Sequence, residues 1–221
     1  KNISNLGDAA LYCDFGNEVN KSTNSEVIKY FKAIKEKKIE GINNLTPSYN
    51  KLIISFDLKK VNFKEIKKYI ENLDVQDTQN INSKKIEIPV CCHESFSLDI
   101  KRLEQILNLG IETILNNFFN KEYFCYMTGF IAGMPFLGDL DENMRAQRLE
   151  TPRVKVPKGS VGLTEQFANI YTFESPGGWN IIGNSPKKVF TKDPSKLTLI
   201  DPGDEVEFFE ISKKEYSKFN D

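Results

Sequence analysis

Apolar and polar residues alternate over positions 9–15, which predicts a strand. Over 24–37 the spacing becomes helical, with Val27, Tyr30, Phe31 and Ile34 on one face. Two short strands are predicted at 42–46 and 51–57, separated by the turn Pro47-Ser48-Tyr49-Asn50. A second helix begins at Asn62, with Glu65 spaced as its capping-box partner and Ile66, Tyr69, Ile70 and Leu73 on one face. Positions 86–91 complete the series as a strand. The order strand, helix, strand, strand, helix, strand is that of a small ferredoxin-like, split βαβ domain.

The polar stretch 76–85 and Pro89 suggest a boundary that separates an N-terminal α+β domain, 1–88, from a second domain, 89–221. A helical pair opens the second domain. Ile100, Leu103, Ile106 and Leu107 mark one helix, stopped by Gly110, and Ile111, Ile114, Leu115 and Phe118 mark the next. Beyond Tyr123 short β segments are predicted at 123–128, 153–156, 160–163, 169–174, 179–183, 188–191 and 205–211, the spacing of a closed barrel or sandwich.

Eight of the 13 glycines lie between Gly129 and Gly183. They punctuate Gly129-Phe130-Ile131-Ala132-Gly133-Met134-Pro135-Phe136-Leu137-Gly138, Pro157-Lys158-Gly159-Ser160-Val161-Gly162 and Ser175-Pro176-Gly177-Gly178-Trp179. Such density implies tightly shaped loops, and shaped loops carry function. The arginines fall in the same region. Against 26 lysines there are four arginines, and Arg145, Arg148 and Arg153 lie within nine residues. A local preference for the planar guanidinium fork points to a carboxylate or phosphate ligand, or to ion pairs with Asp139, Asp141, Glu142 and Glu150 that brace the loop.

Composition narrows the function classes. A net charge of -1, with 30 basic and 31 acidic side chains spread along 221 residues, gives no nucleic-acid or membrane surface. Four cysteines without a disulfide framework suggest a reducing, cytoplasmic compartment. His93 is the only histidine, which argues against a Ser-His-Asp triad, and no metal-ligand cluster is expected. The segment 157–162 is no phosphate loop, because its lysine precedes the glycine and no helix pattern follows, so it reads as a strand-entry turn. Pro176-Gly177-Gly178 reads equally as a hairpin turn with Trp179 packed in the core.

The three glycine motifs, together with Thr151-Pro152-Arg153, Tyr171, Ile181-Ile182-Gly183 and Pro202-Gly203-Asp204, resemble the allophanate hydrolase subunit 1 family in one register from Gly7 to about Ile211. The family includes the B subunit of prokaryotic 5-oxoprolinase and a related sporulation kinase inhibitor. The resemblance implies an α+β fold, with the small N-terminal domain followed by a cyclophilin-like β-barrel. It also implies a subunit of an ATP-dependent amide hydrolase that opens 5-oxoproline to glutamate with a related second subunit and a lactam-opening subunit. ATP acts in the assembled complex. With the last expected strand at 205–211 and the chain ending at Asp221, the second subunit is expected on a separate polypeptide. The alternatives it implies are a non-catalytic regulator that binds a sensor histidine kinase, and a subunit acting on another amide or urea-derived substrate.

Family match and guanidinium cluster together place a groove for a small carboxylate at Arg148, Arg153, Ser160, Tyr171, Ser175, Gly177, Gly178 and Trp179, beside loop residues Gly129, Phe130, Gly133 and Pro135. No catalytic residue is assigned. The chain departs from the family at Phe118, where histidine is common, and at Cys92-His93, where a tyrosine-aspartate pair is usual. It departs again at Gln147 in place of proline, at Ala132 and Met134 in the glycine loop, and at Phe167-Ala168-Asn169 in place of glutamine-threonine-glycine. These changes remove polar groups, and the isolated chain is expected to be inactive.

Overall fold

Ile3 is the one apolar side chain of Asn2–Asn5 (β1), and it alone of the four is buried. The computed structural model describes residues 1–75, 83–193 and 196–219, and its contacts divide the chain into two units, Lys1–Asn82 and Ser83–Asp221. The first unit joins β1 to Ala10–Asp14 (β2), Ile42–Pro47 (β3) and Lys51–Phe56 (β4) in the order β1-β2-β4-β3, antiparallel throughout. Its helices are Lys21–Lys37 (α1) and Phe63–Glu71 (α2).

Local chemistry sets where these helices begin. Asn20 accepts the Thr23 N–H at 2.9 Å, so α1 starts three residues before the predicted position. Buried Asn24 then donates to the carbonyls of Ser48 (2.9 Å) and Tyr49 (2.7 Å), tying the helix to the β3–β4 turn. At α2 the expected capping box forms, with Asn62 N–H to Glu65 Oε2 at 3.0 Å and Glu65 N–H to Asn62 Oδ1 at 3.1 Å. Leu11, Cys13, Leu52 and Ile54 from the sheet pack with Val27, Ile34, Ile66 and Ile70 from the helices. Tyr69 stays 37% exposed, so the buried strip of α2 is narrower than its apolar pattern.

The second unit holds Lys85–Val90 (β5), Ile100–Leu107 (α3), Ile111–Phe119 (α4), Glu122–Thr128 (β6), Pro135–Gly138 (β7), Arg153–Val156 (β8), Ser160–Thr164 (β9), Phe167–Ile170 (β10), Ser175–Gly177 (β11), Asn180–Asn184 (β12), Glu205–Glu210 (β13) and Lys213–Lys218 (α5). Seven strands form one sheet in the order β12-β9-β10-β7-β6-β13-β5, while β8 and β11 form a separate ribbon. Both units mix helix and sheet. Among the described residues no helix is long and apolar enough to cross a membrane.

Several expectations are corrected here. The predicted strand 86–91 exists as β5, but it does not complete a ferredoxin-like sheet: it pairs in parallel with β13 from Lys85–Glu205 to Val90–Glu210, and β1 is the fourth strand of the first sheet. The domain break accordingly falls before β5 rather than within it, and of the polar stretch 76–85, residues 76–82 lie outside the described residues. The second half of the glycine loop is β7, a fully buried strand between β10 and β6 that admits Pro135 as its first residue. Ser175–Gly177 is a strand rather than a turn, the segment expected at 169–174 ends as β10 at Ile170, and 188–191 keeps only the Phe190–Thr198 bridge. Asn108, in the left-handed region at φ 52°, ends α3, whereas Gly110 is the N-cap of α4.

The two edge strands of the large sheet meet. Cys91 N–H donates to the Asn184 carbonyl (2.9 Å) and Asn184 N–H to the Cys91 carbonyl (3.0 Å). Gly183 makes this approach possible, since a Cβ there would lie 2.8 Å from the Cys91 oxygen. Inside, Phe208 on β13 stacks on Phe118 (4.8 Å between centroids) and meets Tyr123 edge-on (5.4 Å). Replacing Phe208 with alanine should therefore cost about 3–5 kcal/mol, read as a lowered denaturant midpoint for the second unit.

Candidate functional site

The β8–β11 ribbon and β12 assemble the polar residues. In the ribbon Arg153 lies opposite Gly177 and Val156 opposite Ser175. A Cβ on Gly177 would lie 2.2 Å from the Tyr171 hydroxyl, so the absence of a side chain at 177 is what lets Tyr171 reach the ribbon. Tyr171 is 1% exposed. Burial raises its hydroxyl pKa, opposed by hydrogen bonds with the Asn169 side chain and the Trp179 backbone and by the positive charges of Arg148 and Arg153. The group is thus a neutral phenol near pH 7.

Arg153 is held from one side only. Its Nη2 lies 2.6 Å from Oδ1 of Asp99, a carboxylate that is 5% exposed, and Oδ2 of Asp99 accepts the Ile181 N–H at 2.7 Å. The other terminal nitrogen of Arg153, Nη1, is buried with no hydrogen-bond partner, as is the Ser175 hydroxyl. A buried donor without an acceptor is costly, by about 1–3 kcal/mol, unless a ligand supplies one. Arg148 places its guanidinium carbon 5.9 Å from the Trp179 ring centroid, at the outer limit of a cation–π contact. Trp179 is itself buried, edge-on to Phe136 at 5.6 Å.

The carboxylates expected to brace the arginines are engaged elsewhere or make no ion pair with them among the described residues. Asp139 accepts from Tyr126 and Gln166, and Asp141 pairs with Lys121. Arg145 donates to the Leu140 carbonyl instead. The structure brings Arg148, Arg153, Tyr171, Ser175, Gly177 and Trp179 together. Ser160 and Gly178 contribute backbone: Ser160 accepts the Tyr171 N–H at 2.9 Å, and Gly178 accepts the Leu149 N–H at 2.7 Å. Gly129, Phe130 and Gly133 belong to the β6–β7 connection, where Phe130 is 70% exposed at positive φ and Gly133 packs on Phe190, and Pro135 is the buried first residue of β7. That loop reaches the region through the Thr172 hydroxyl, which donates to the Ala132 carbonyl at 2.7 Å.

Sequence reasoning missed three residues. Asp99 gave no local signal, because its partners are 54 and 82 positions away. Asn180, fully buried, donates to the carbonyls of Gln147 (3.0 Å) and Leu163 (3.1 Å) and accepts from Arg102. Arg102 was legible: the scarcity that singled out three arginines applies equally to the fourth.

The family departures sit quietly in this frame. Phe118 belongs to the aromatic stack, Met134 is buried with its sulfur 4.0 Å from Asn169 Nδ2, and Phe167 packs edge-on against Tyr126. His93 has Nδ1 engaged by the Ser95 hydroxyl (2.9 Å) and N–H (3.1 Å). Cys92 is half-buried, and burial, with Glu210 and Cys91 nearby, pushes its thiol up to about 12. Among the described residues no group of three or more His, Cys, Asp or Glu could hold a metal ion. The arrangement offers donors for an anion.

Residues 1–200 match the carboxyltransferase domain, subdomains C and D. The chain is similar to the B subunit of 5-oxoprolinase from Bacillus subtilis (strain 168), at 31% identity over 231 aligned positions, 99% of this chain and 96% of that one. It is similar also to the B subunit of 5-oxoprolinase from Haemophilus influenzae, at 36% identity over 169 positions and 76% of each chain. The crystal structure of TTHA0988 superposes with a TM-score of 0.85 at 26% identity, over 92% of this chain and 40% of that one.

Because Asp99 neutralises Arg153 while capping β12, its replacement by alanine should destabilise the protein by about 3 kcal/mol. In an Arg153→Ala background the same change should cost less, with a coupling above about 1 kcal/mol in a double-mutant cycle by denaturant unfolding.

Proposed function

Because this chain belongs to the carboxyltransferase domain family, subdomains C and D, we propose that it is the B-type subunit of a 5-oxoprolinase, acting with partner subunits in the ATP-dependent opening of 5-oxoproline to glutamate. The observation that carries this reading is the half-paired Arg153. Asp99 fixes one arm of the guanidinium and leaves Nη1, beside the β11 strand that bears Ser175, as a donor for a planar carboxylate. 5-Oxoproline carries such a carboxylate next to its lactam. In this reading Arg153 orients the substrate by its carboxylate, Arg148 adds positive charge from the Trp179 face, and the neutral Tyr171 hydroxyl donates to an oxygen of the bound acid.

The proposed division of labour follows from what the site lacks. Ring opening needs an activated lactam and a delivered water, and Asp99, the carboxylate held against Arg153, is already engaged by Arg153 and the Ile181 N–H. ATP supplies a phosphoryl group to the lactam oxygen, activating the carbonyl carbon for attack by water. The C–N bond then breaks with the nitrogen leaving as the amine, a second water releases phosphate from the resulting acyl phosphate, and no residue of this chain is assigned to the nucleotide. A related second subunit and a lactam-opening subunit supply the remaining chemistry, in the cytoplasm. The second unit corresponds, on this proposal, to a cyclophilin-like barrel. That the chain covers 40% of the longer TTHA0988 chain supports a role as one part of a larger assembly.

Two measurements test the reading. Arg153→Lys and Arg148→Lys should each weaken 5-oxoproline binding about 10-fold or more in calorimetry while changing stability by less than about 1 kcal/mol, because lysine keeps the charge and loses the fork. The isolated chain should release neither glutamate nor phosphate, and the reconstituted complex should release both. Substrate-dependent turnover by this chain alone would overturn the assignment of roles.

A further inference from the structure

A concavity of about 210 Å³ opens between the β8–β9 turn, the segment after β12 and α5. Lys158, Lys187 and Lys188 line it, and no carboxylate does. Among the described residues none of these three lysines has a carboxylate within 4 Å, whereas Lys51, Lys60, Lys67, Lys84, Lys85, Lys121 and Lys155 each have one. Three lysines and no carboxylate in the lining give the pocket a positive potential that favours a counter-anion, with the Lys158 ammonium also lying 5.9 Å from the Phe173 ring centroid.

The walls are rigid and polar rather than loose. Tyr216 on α5 donates its hydroxyl to Asn184 Oδ1 at 2.8 Å, and Asn184 Nδ2 donates to the Lys158 carbonyl at 2.9 Å, so the helix pins the turn that carries Lys158. Asn184, Ser185 and Thr172 are each at most 4% exposed. Gly159, at φ 82°, lets the turn lie against Asn184 and the Ser185 carbonyl, both 2.5 Å from where a Cβ would be. Lys187 spends one N–H on the Glu87 carbonyl at 2.7 Å and keeps two. Tyr171 also lines this pocket and presents its hydroxyl to Gly177, so it is shared between this concavity and the arginine site.

We infer that the Lys158–Lys187–Lys188 pocket binds a compact phosphate-class anion, at a site distinct from the Arg153 site. Ammonium groups are point charges suited to the several oxygens of a phosphate, while the arginine fork next door suits a planar carboxylate. The inference does not depend on the 5-oxoprolinase reading.

The probes are pyrophosphate and inorganic phosphate, with glutarate as the carboxylate control, titrated into the full chain by calorimetry and by amide chemical-shift mapping. Saturable pyrophosphate binding is expected, with shifts at residues 158–159 and 184–188. It should weaken at least 5-fold in Lys158→Gln and in Lys188→Gln, two exposed positions, and fall with added salt. Arg153→Lys should bind pyrophosphate like the unaltered chain. Absence of saturable binding at millimolar pyrophosphate, binding by either lysine variant as tight as by the unaltered chain, equal affinity for glutarate, or loss of binding in Arg153→Lys would each overturn the proposal.

Discussion

An edge strand presents backbone donors and acceptors that must be satisfied, and in the second unit this constraint organises the site. The outer edge of β12 is covered by the segment between β5 and α3: Cys91 exchanges two hydrogen bonds with Asn184, and Asp99 meets both backbone groups of Ile181. The covering joins the two ends of a seven-stranded sheet. It also brings a carboxylate into a buried position, where one oxygen is used by the strand and the other remains for a cation. Arg153 is that cation.

From this single contact the arrangement of the arginines follows. Arg153 is tied to β12 through Asp99, Arg102 through Asn180, and Arg148 lies over Trp179 at the start of the same strand. Three of four guanidinium groups thus converge on Trp179, Asn180 and Ile181 from two places in the sequence, Arg102 and the segment that holds Arg148 and Arg153. Burying such charge is costly unless it is paired, and pairing here is incomplete by one guanidinium nitrogen and one hydroxyl.

The glycines serve close approach more than mobility. Gly177 admits the Tyr171 hydroxyl and Gly183 admits the Cys91 carbonyl, so both are points where one backbone or ring presses on another. This explains why a glycine-dense region is also the most buried part of the sheet, with every residue of β9, β10 and β12 inside. Three of the family departures, Phe118, Met134 and Phe167, fill volume in the same interior, whereas Ala132 and Gln147 are exposed.

What the sequence determined by itself is whatever rests on neighbours a few residues apart. Both helices of the first unit, the Asn62–Glu65 box, the β3–β4 turn and the concentration of arginines on one region were readable, because periodicity, capping and composition are local properties. The tertiary structure decided everything that depends on which distant segments meet. β1 carries one apolar side chain and could be placed only by the sheet it borders; β5 looked like the last strand of the first domain, yet pairs with β13, 120 residues later. Pro135-Phe136-Leu137-Gly138 has the composition of a loop and is a central strand, since burial between β10 and β6 overrides local preference. Asp99 is one acid among 31 until its carboxylate is seen between Arg153 and Ile181, because a charge acquires a role only from the partners that burial leaves within its reach.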